Sequence, residues 1–322
     1  MASLPTPKAH TLTTDLIELQ FPAAARGLRL DQALASALPQ FSRSRLKSWI
    51  DAGLVLVDDE LAEPKQKLRG GEQVALTPVP ELNTQAFSPE AIPLHIVFED
   101  ATLLVINKPA GMVVHPAVGN WSGTLLNALL HHMPHADTLP RAGIVHRLDK
   151  DTSGLLVVAK TIEAQTDLVR QLQARTVKRE YLAVAGGLVA QAGSVDAPIG
   201  RHPKDRVKMA VVEEERGGKA AVTHYAVEES FTLNLKATLL RCALQTGRTH
   251  QIRVHLAYIG HALVGDQTYA GKVMAAQFQR QALHATKLGL IHPKTGKPKT
   301  WQAAPPKDFA DLLASLRKQN AR

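Results

Sequence analysis

The chain contains a single cysteine, Cys242, among its 322 residues. One thiol cannot form an internal disulfide, and it cannot supply the several cysteines of a structural zinc cluster. The chain also lacks an apolar run near the roughly 20 residues that cross a bilayer, and its first residues lack the charged and then apolar pattern of a secretory signal. We therefore expect a cytoplasmic protein without a membrane partner, and no segment indicates an obligate protein partner.

Signature loops for nucleotide binding are missing as well. The sequence has neither the glycine-rich phosphate loop of nucleoside triphosphatases nor the glycine fingerprint of dinucleotide-binding folds. It also lacks the paired histidines, four residues apart on one helix, that bind zinc in many hydrolases. No internal repeat is evident.

Positive charge exceeds negative charge by nine, which points to a polyanionic partner such as nucleic acid. Residues 272–322 carry ten Lys or Arg against Asp308 and Asp311, and therefore eight of the nine excess charges. A solvated tail is one interpretation of this segment. The basic cluster 292–299, HPKTGKPK, instead indicates a turn between two strands.

The N-terminal part has the pattern of a small helix and strand unit. Apolar spacing predicts a helix over residues 29–38 and a second over 45–52, and short apolar runs at 54–57 and 73–76 predict strands. Residues 26–76 resemble an S4-type RNA-binding domain. The basic residues Arg43, Arg45 and Lys47 at the second helix are candidate RNA contacts, although a solvated helix face would have the same composition.

Four parts of the chain follow from these patterns. We expect a leader over 1–20, an S4-like domain over 21–78, a proline-rich linker over 79–93 and a catalytic domain over 94–322. In the last part strands and helices do not alternate regularly, which predicts an α+β fold with a mixed, largely antiparallel sheet, preceded by the small α/β S4-like domain.

One carboxylate in the last part has the surroundings of a catalyst. Asp149 lies between Arg147 and Lys150, just before the apolar run 155–158, so cations favour its ionised form and a strand supports it. An exposed ion pair without a function is the alternative interpretation.

Four separated segments carry polar residues that a simple core does not require. The segments are 107–111 (NKPAG), 146–155 (HRLDKDTSGL), 178–182 (KREYL) and 245–256 (QTGRTHQIRVHL). In this combination and order they resemble the RluA-type pseudouridine synthases, over residues 94–305.

The resemblance implies that a uridine within RNA loses its N1–C1′ bond, and that the base turns and rejoins through C5. Asp149 matches the catalytic aspartate, either as nucleophile at C1′ or as base at C2′. Tyr181 matches a tyrosine that stacks on uracil, and Arg253 matches an arginine that we expect to pair with Asp149. The reaction requires no cofactor and no metal ion.

Other residues are assigned to substrate binding by the same resemblance. Arg147 would take the space that the flipped base leaves, and Leu283 would lie against uracil. We expect four further residues to line the same substrate cleft: His146, Thr152, Arg248 and His250. The implied partner is ribosomal RNA, with the helix 69 stem-loop of 23S rRNA as the target and another rRNA or tRNA site as the alternative.

Two functions from other classes compete with this interpretation. A metal-dependent phosphodiesterase could use His146, Asp149, Asp151, His250 and His255, but the last two are five residues apart and diverge around a helix. A non-catalytic RNA-binding assembly factor would use the S4-like domain and the basic C-terminal region alone.

Overall fold

The computed structural model shows two compact units, Met1–Thr84 and Gln85–Arg322. The structure describes residues 16–39, 41, 43–63, 65–78, 87–117, 120–205 and 208–321. Most of the expected leader (1–15) and the first half of the expected linker (79–86) lie outside these ranges, so the leader and the linker stay predictions.

In the N-terminal unit two helices accompany a four-stranded antiparallel sheet of order β1-β4-β2-β3. The elements are β1 (Ile17–Gln20), α1 (Leu30–Ala37), α2 (Arg43–Asp51), β2 (Val55–Val57), β3 (Glu60–Leu61) and β4 (Gln73–Leu76). Leu34, Leu46 and Ile50 are buried in one cluster with residues of the strands, as the apolar spacing predicts. The last four residues of the expected leader form β1, an outer strand of this sheet.

The C-terminal unit is built on one large sheet, and the predicted mixed, largely antiparallel α+β fold is confirmed. Its strands are β5 (Ile96–Glu99), β6 (Leu103–Lys108), β7 (Ser153–Ala159), β8 (Lys178–Gly186), β9 (Gly193–Asp196), β12 (Val222–Phe231), β13 (Ala237–Leu244), β14 (Leu283–Ile291) and β15 (Pro298–Gln302). The order is β5-β6-β7-β14-β8-β13-β12-β9, with β15 also paired to β14. A separate hairpin is formed by β10 (Ile199–Arg201) and β11 (Met209–Val211).

The two halves of the large sheet meet at the parallel pairing of β7 with β14. Gly154 lies at this junction with a φ of +116°, and a Cβ atom there would lie 2.3 Å from the carbonyl oxygen of Ala285. Only glycine tolerates both the backbone conformation and the close approach. The junction brings the loop that precedes β7, which carries Asp149, beside β8 and β14.

Helices cover both faces of the large sheet. They are α3 (Leu125–His132), α4 (Ile162–Gln173), α5 (Gln251–Tyr258), α6 (Lys272–Ala275) and α7 (Lys307–Asn320). The cluster on one face contains residues of α3 and α5, and the clusters on the other face contain residues of α4 and α7.

The basic C-terminal segment is not a solvated tail over its described length. Phe309, Leu313 and Leu316 form a buried stripe on α7 that packs in the cluster containing Phe231 of β12. The cluster 292–299 spans the turn between β14 and β15, as predicted, and continues into β15.

Candidate functional site

A cleft of about 870 Å³ opens in the C-terminal unit. Nine of the twelve predicted site residues line it. They are His146, Arg147, Asp149, Thr152, Tyr181, Arg248, His250, Arg253 and Leu283. Segments more than 100 residues apart in the chain therefore meet in one cavity.

The cleft lining is strongly basic. Asp149 is the single acidic residue among the described residues that line it, and six arginines accompany it. They are Arg141, Arg147, Arg175, Arg179, Arg248 and Arg253. A cavity lined by cations attracts a polyanionic chain.

Asp149 is paired with Arg253, as expected. Arg253 Nη1 donates to Asp149 Oδ2 at 3.1 Å, and the rest of its guanidinium binds Asp266 through Nε (2.7 Å) and Nη2 (2.9 Å). Asp266 is completely buried. Burial alone would lower the pKa of Arg253, but the hydrogen bonds and charges of Asp266 and Asp149 outweigh it and raise that pKa. A permanently charged, two-point-anchored guanidinium therefore faces the candidate catalyst.

Tyr269 joins this arrangement to the helix start at His250. The Arg253 guanidinium lies over the Tyr269 ring, 5.1 Å from its centroid, and the Tyr269 hydroxyl contacts His250 Nδ1 at 2.9 Å. His250 Nε2 is 3.9 Å from Asp149 Oδ1. Burial lowers the pKa of His250, although the charge of Asp149 opposes this shift. His250 is therefore a neutral neighbour of the carboxylate at neutral pH.

Two buried cations hold the backbone of the Asp149 loop. Lys108 Nζ donates to the carbonyl oxygens of Lys150 (2.9 Å), Pro109 (2.8 Å) and Met112 (2.9 Å). Burial lowers the pKa of Lys108 to about 7, against the charges of Asp151 and Asp149.

Arg280 holds the same loop one residue further along. Its Nη1 donates to the carbonyl oxygen of Asp151 at 3.0 Å, and its Nε and Nη2 bind Asp308. Thr152 is buried, donates its backbone N–H to the Asp149 carbonyl and accepts a hydrogen bond from Gln281. Thr152 thus shapes the loop that positions the carboxylate.

The turn before α5 is organised by Gln251. Its side-chain oxygen accepts from the Thr246 hydroxyl (2.8 Å) and the Arg248 backbone N–H (2.9 Å), and its nitrogen donates to Val222 and Thr223. The Arg248 side chain is exposed and donates to the carbonyl of Ala220. The turn fixes the direction of α5, and with it the position of Arg253.

Tyr181 and Leu283 form the apolar wall of the cleft. Both are buried and belong to the same packed cluster. Burial raises the pKa of Tyr181, with Arg179 opposing and Asp149 adding to the shift. The Tyr181 hydroxyl therefore stays protonated near neutral pH.

His146 is held by the sheet. Its Nε2 accepts the backbone N–H of Val157 at 3.2 Å, and burial, with the charge of Arg179, lowers the pKa of His146 to about 3. Its neighbour Arg147 is exposed. The geometry favours a positioning role for His146 and leaves Arg147 accessible to a ligand.

The other three predicted RNA contacts lie in the N-terminal unit. Each has an internal partner there: Arg43 binds the buried Asp31 at 2.8 Å, Lys47 binds Asp51 at 2.6 Å, and Arg45 lies over the rings of Phe41 and Trp49. Each basic group therefore has a contact within the unit, while the side chains of Arg43 and Lys47 stay about half exposed.

Known proteins resemble this chain over most of its length. The sequence profile of the RNA pseudouridylate synthase family matches residues 102–258, and the S4 domain profile matches residues 28–74. A protein of Nitrosomonas europaea called ribosomal large subunit pseudouridine synthase D is 56% identical to this chain, over 94% of the chain and 88% of that protein. The chain belongs to the RNA pseudouridylate synthase family.

Other members support this placement. A protein of Escherichia coli O157:H7 with the same name is 52% identical, over 90% of this chain and 91% of that protein. The solved structure of human RNA pseudouridylate synthase domain containing 1 superposes with a TM-score of 0.55 at 25% identity, covering 71% of this chain and 96% of the human chain. As a pseudouridine synthase, the chain is an isomerase.

Sequence reasoning missed several residues of the candidate site. Asp266, Tyr269 and Arg280 belong to no segment that the motifs single out, and Lys108 and Arg179 lie in such segments without an assigned role. A buried polar group that acts through another side chain leaves no pattern in a single sequence. The sequence hints at only two of them: Asp266 is a carboxylate directly after Gly265, and Lys108 is a charged residue in the largely apolar strand β6.

The metal-dependent alternative finds no support in the described part of the chain. No group of three or more histidine, cysteine or acidic residues there could hold a metal ion. His255 is fully buried, with Nδ1 bonded to Thr223 and Nε2 to the Ala197 carbonyl. Across the same described ranges, no helix is long and apolar enough to span a bilayer.

Proposed function

We propose that this synthase converts uridines of large-subunit ribosomal RNA to pseudouridine, with the helix 69 stem-loop of 23S rRNA as its target. The single observation that carries the reaction is the Asp149 carboxylate, which Arg253 holds at 3.1 Å in a basic cleft. The names of the relatives from Nitrosomonas europaea and Escherichia coli support large-subunit RNA as the substrate.

The target nucleotide must leave the RNA stack to reach Asp149. Flipping costs a few kcal/mol of unstacking, and an arginine side chain can occupy the vacated space. Arg147 is exposed and lies two residues before Asp149. We assign it this space, and we assign phosphate contacts of the flanking nucleotides to Arg248.

At the ribose, the ionised Asp149 either attacks C1′ or removes the proton from C2′. In both routes the N1–C1′ bond breaks and its electron pair leaves with uracil. The base turns and C5 bonds to C1′. In the first route this breaks the bond between Asp149 and C1′ and releases the carboxylate, and in the second Asp149 returns its proton to C2′. The C5 proton is then lost and N1 is protonated. We assign Tyr181 the stacking on the ring, and we assign its protonated hydroxyl the exchange of protons during this transfer.

The decisive experiment removes the charge of Asp149. Asp149→Asn should abolish pseudouridine formation and leave RNA affinity within a few-fold, because the basic lining of the cleft is unchanged. Turnover in this variant would reject the assignment and favour a non-catalytic RNA-binding protein.

Carbodiimide mapping of rRNA from cells with and without the gene tests the target. Loss of pseudouridine confined to the helix 69 loop supports the proposal. Loss of pseudouridine at another rRNA site or in tRNA would reject helix 69 as the target but would still support the proposed reaction.

The N-terminal unit is proposed to dock structured rRNA. Neutralising Arg43, Arg45 and Lys47 together should weaken binding to structured rRNA more than it slows reaction with a minimal stem-loop. Equal losses with both substrates would show that the unit does not dock the substrate.

A further inference from the structure

One buried arginine of the cleft has no partner for its charge. Arg179, on β8, is only 8% exposed, and its Nε is buried without a hydrogen-bond partner. The other two buried arginines, Arg253 and Arg280, each bind an aspartate through two nitrogens. Among the described residues, no carboxylate lies within ion-pair distance of Arg179.

An unpaired buried charge is costly for a protein to keep. The surrounding chain nevertheless makes room for this one. A Cβ atom on Gly247 would lie 2.5 Å from Arg179 Nη1, so the guanidinium packs against a turn that glycine leaves open. The Arg179 guanidinium therefore lies in the cleft without a partner in the protein, at a cost in stability. This points to a substrate atom that accepts its hydrogen bonds.

The position of Arg179 decides which substrate atoms it can meet. It lies two residues before Tyr181 on the same face of β8, and both side chains line the cleft. The arginines Arg147 and Arg248 are exposed, where the RNA backbone would pass. A buried guanidinium beside the stacking tyrosine meets the inserted base, because the phosphates stay outside with the backbone.

Uracil becomes electron-rich during the proposed reaction. When the N1–C1′ bond breaks, its electron pair is delocalised over N1 and the two carbonyl oxygens of the ring. This holds whether Asp149 forms a bond to C1′ or takes the C2′ proton. A guanidinium donates N–H groups to such oxygens and needs no proton transfer to do so.

We propose that Arg179 is a further catalytic residue, which binds a carbonyl oxygen of the flipped uracil and stabilises the negative charge that develops on the base. The inference rests on the proposed function and adds a group that acts on the leaving base, whereas Asp149 acts on the ribose.

The first test compares Arg179→Met, Arg179→Lys and the control Lys178→Met. Lys178 is the exposed neighbour on β8, and its side chain points to the other face. In single-turnover reactions with saturating stem-loop RNA, Arg179→Met should lower the rate by roughly 10²-fold, as for the loss of a donor to a developing oxyanion. Arg179→Lys should recover part of this loss, and Lys178→Met should react like the wild type.

Thermal unfolding separates catalysis from structure. The melting temperature of Arg179→Met should equal or exceed that of the wild type, because the substitution removes an unpaired buried charge. A slower reaction accompanied by a lower melting temperature, with Arg179→Lys equally impaired in both, would overturn the proposal. So would a loss confined to RNA affinity, which would indicate a phosphate contact.

The second test identifies the contacted atom. RNA with 4-thiouridine or 2-thiouridine at the target replaces one carbonyl oxygen with sulfur, a poorer acceptor. One of these replacements should slow the wild type and have little additional effect on Arg179→Met, since both changes remove the same interaction. Additive effects for both replacements would overturn the inference while the enzyme stays a synthase. A wild-type protein that forms no pseudouridine would overturn the proposed function itself.

Discussion

Asp266 is the residue whose loss should most clearly reveal how the site is held together. It is completely buried, it binds Arg253 through both oxygens, and its Oδ1 also accepts the backbone N–H groups of Thr268 and Tyr269. Asp266→Asn keeps the size of the side chain and one carbonyl acceptor. It removes the negative charge and places an NH₂ group against the guanidinium.

The expected loss of stability follows from burial. The side chain of Arg253 is 6% exposed, so it keeps its charge without the solvent that would compensate it. Removing one partner of a buried ion pair costs about 3–5 kcal/mol. Urea denaturation should show this decrease in the free energy of unfolding.

The rate should fall as well, although Asp266 does not touch the substrate. Without its anchor, Arg253 can turn and bind both oxygens of Asp149, which draws the carboxylate away from the ribose. A displacement of about 1 Å lowers a rate by roughly 10²-fold. Single-turnover pseudouridine formation at saturating RNA measures this step directly.

Glu229→Gln is a matched control. Glu229 also binds an arginine through both oxygens, but its partner Arg317 is 54% exposed. Solvent screening limits the cost there to about 1 kcal/mol or less. If Asp266→Asn lost no more stability than Glu229→Gln and kept the wild-type rate, the described role of Asp266 would be refuted.

Three further predictions concern other parts of the chain. The pKa of Lys108 is about 7 in the folded chain and ordinarily 10.5. Between these two pH values the unfolded chain therefore holds more protons than the folded chain. The free energy of unfolding should then rise with pH by up to about 1.4 kcal/mol per pH unit. Urea denaturation at about pH 7 and about pH 9 should show this rise in the wild type but not in Lys108→Met. An equal rise in the two proteins would contradict the lowered pKa of Lys108. Phe309→Ala should cost about 3–5 kcal/mol in the same assay, since Phe309 is fully buried, and a neutral result would mean that α7 does not hold the core. RNA affinity should fall steeply with salt in filter binding, and a flat dependence would argue against phosphate contacts by the basic cleft.

Asp149 and Tyr181 are the predicted site residues with a proposed chemical role of their own. They belong to motifs that resemble those of the pseudouridine synthases, and both line one cleft. The predicted pairing of Arg253 with Asp149 is confirmed at 3.1 Å.

Other expectations depended on packing, and there the sequence was a weaker guide. The charge of the C-terminal segment allowed a solvated tail, but the buried stripe of α7 shows a packed helix. Three short strands, β9, β10 and β11, have three or four residues each, too few for a periodic signal.

The sequence by itself indicated the proposed reacting group and its class of chemistry. The Asp149 motif, the tyrosine motif and the arginine motif each resemble a motif of the pseudouridine synthases. The spacing of apolar residues also predicted most helices and strands. A helix or strand that buries one face carries apolar residues at the repeat of that element.

Only the tertiary structure decided which charges are compensated. Arg179, Arg253 and Arg280 are all arginines in or near the cleft, and a single sequence does not distinguish them. Folding pairs Arg253 with Asp266 and Arg280 with Asp308, but it leaves the Nε of Arg179 buried without a partner. The difference arises from contacts between distant segments, because the energy of a buried charge depends on what the fold places beside it.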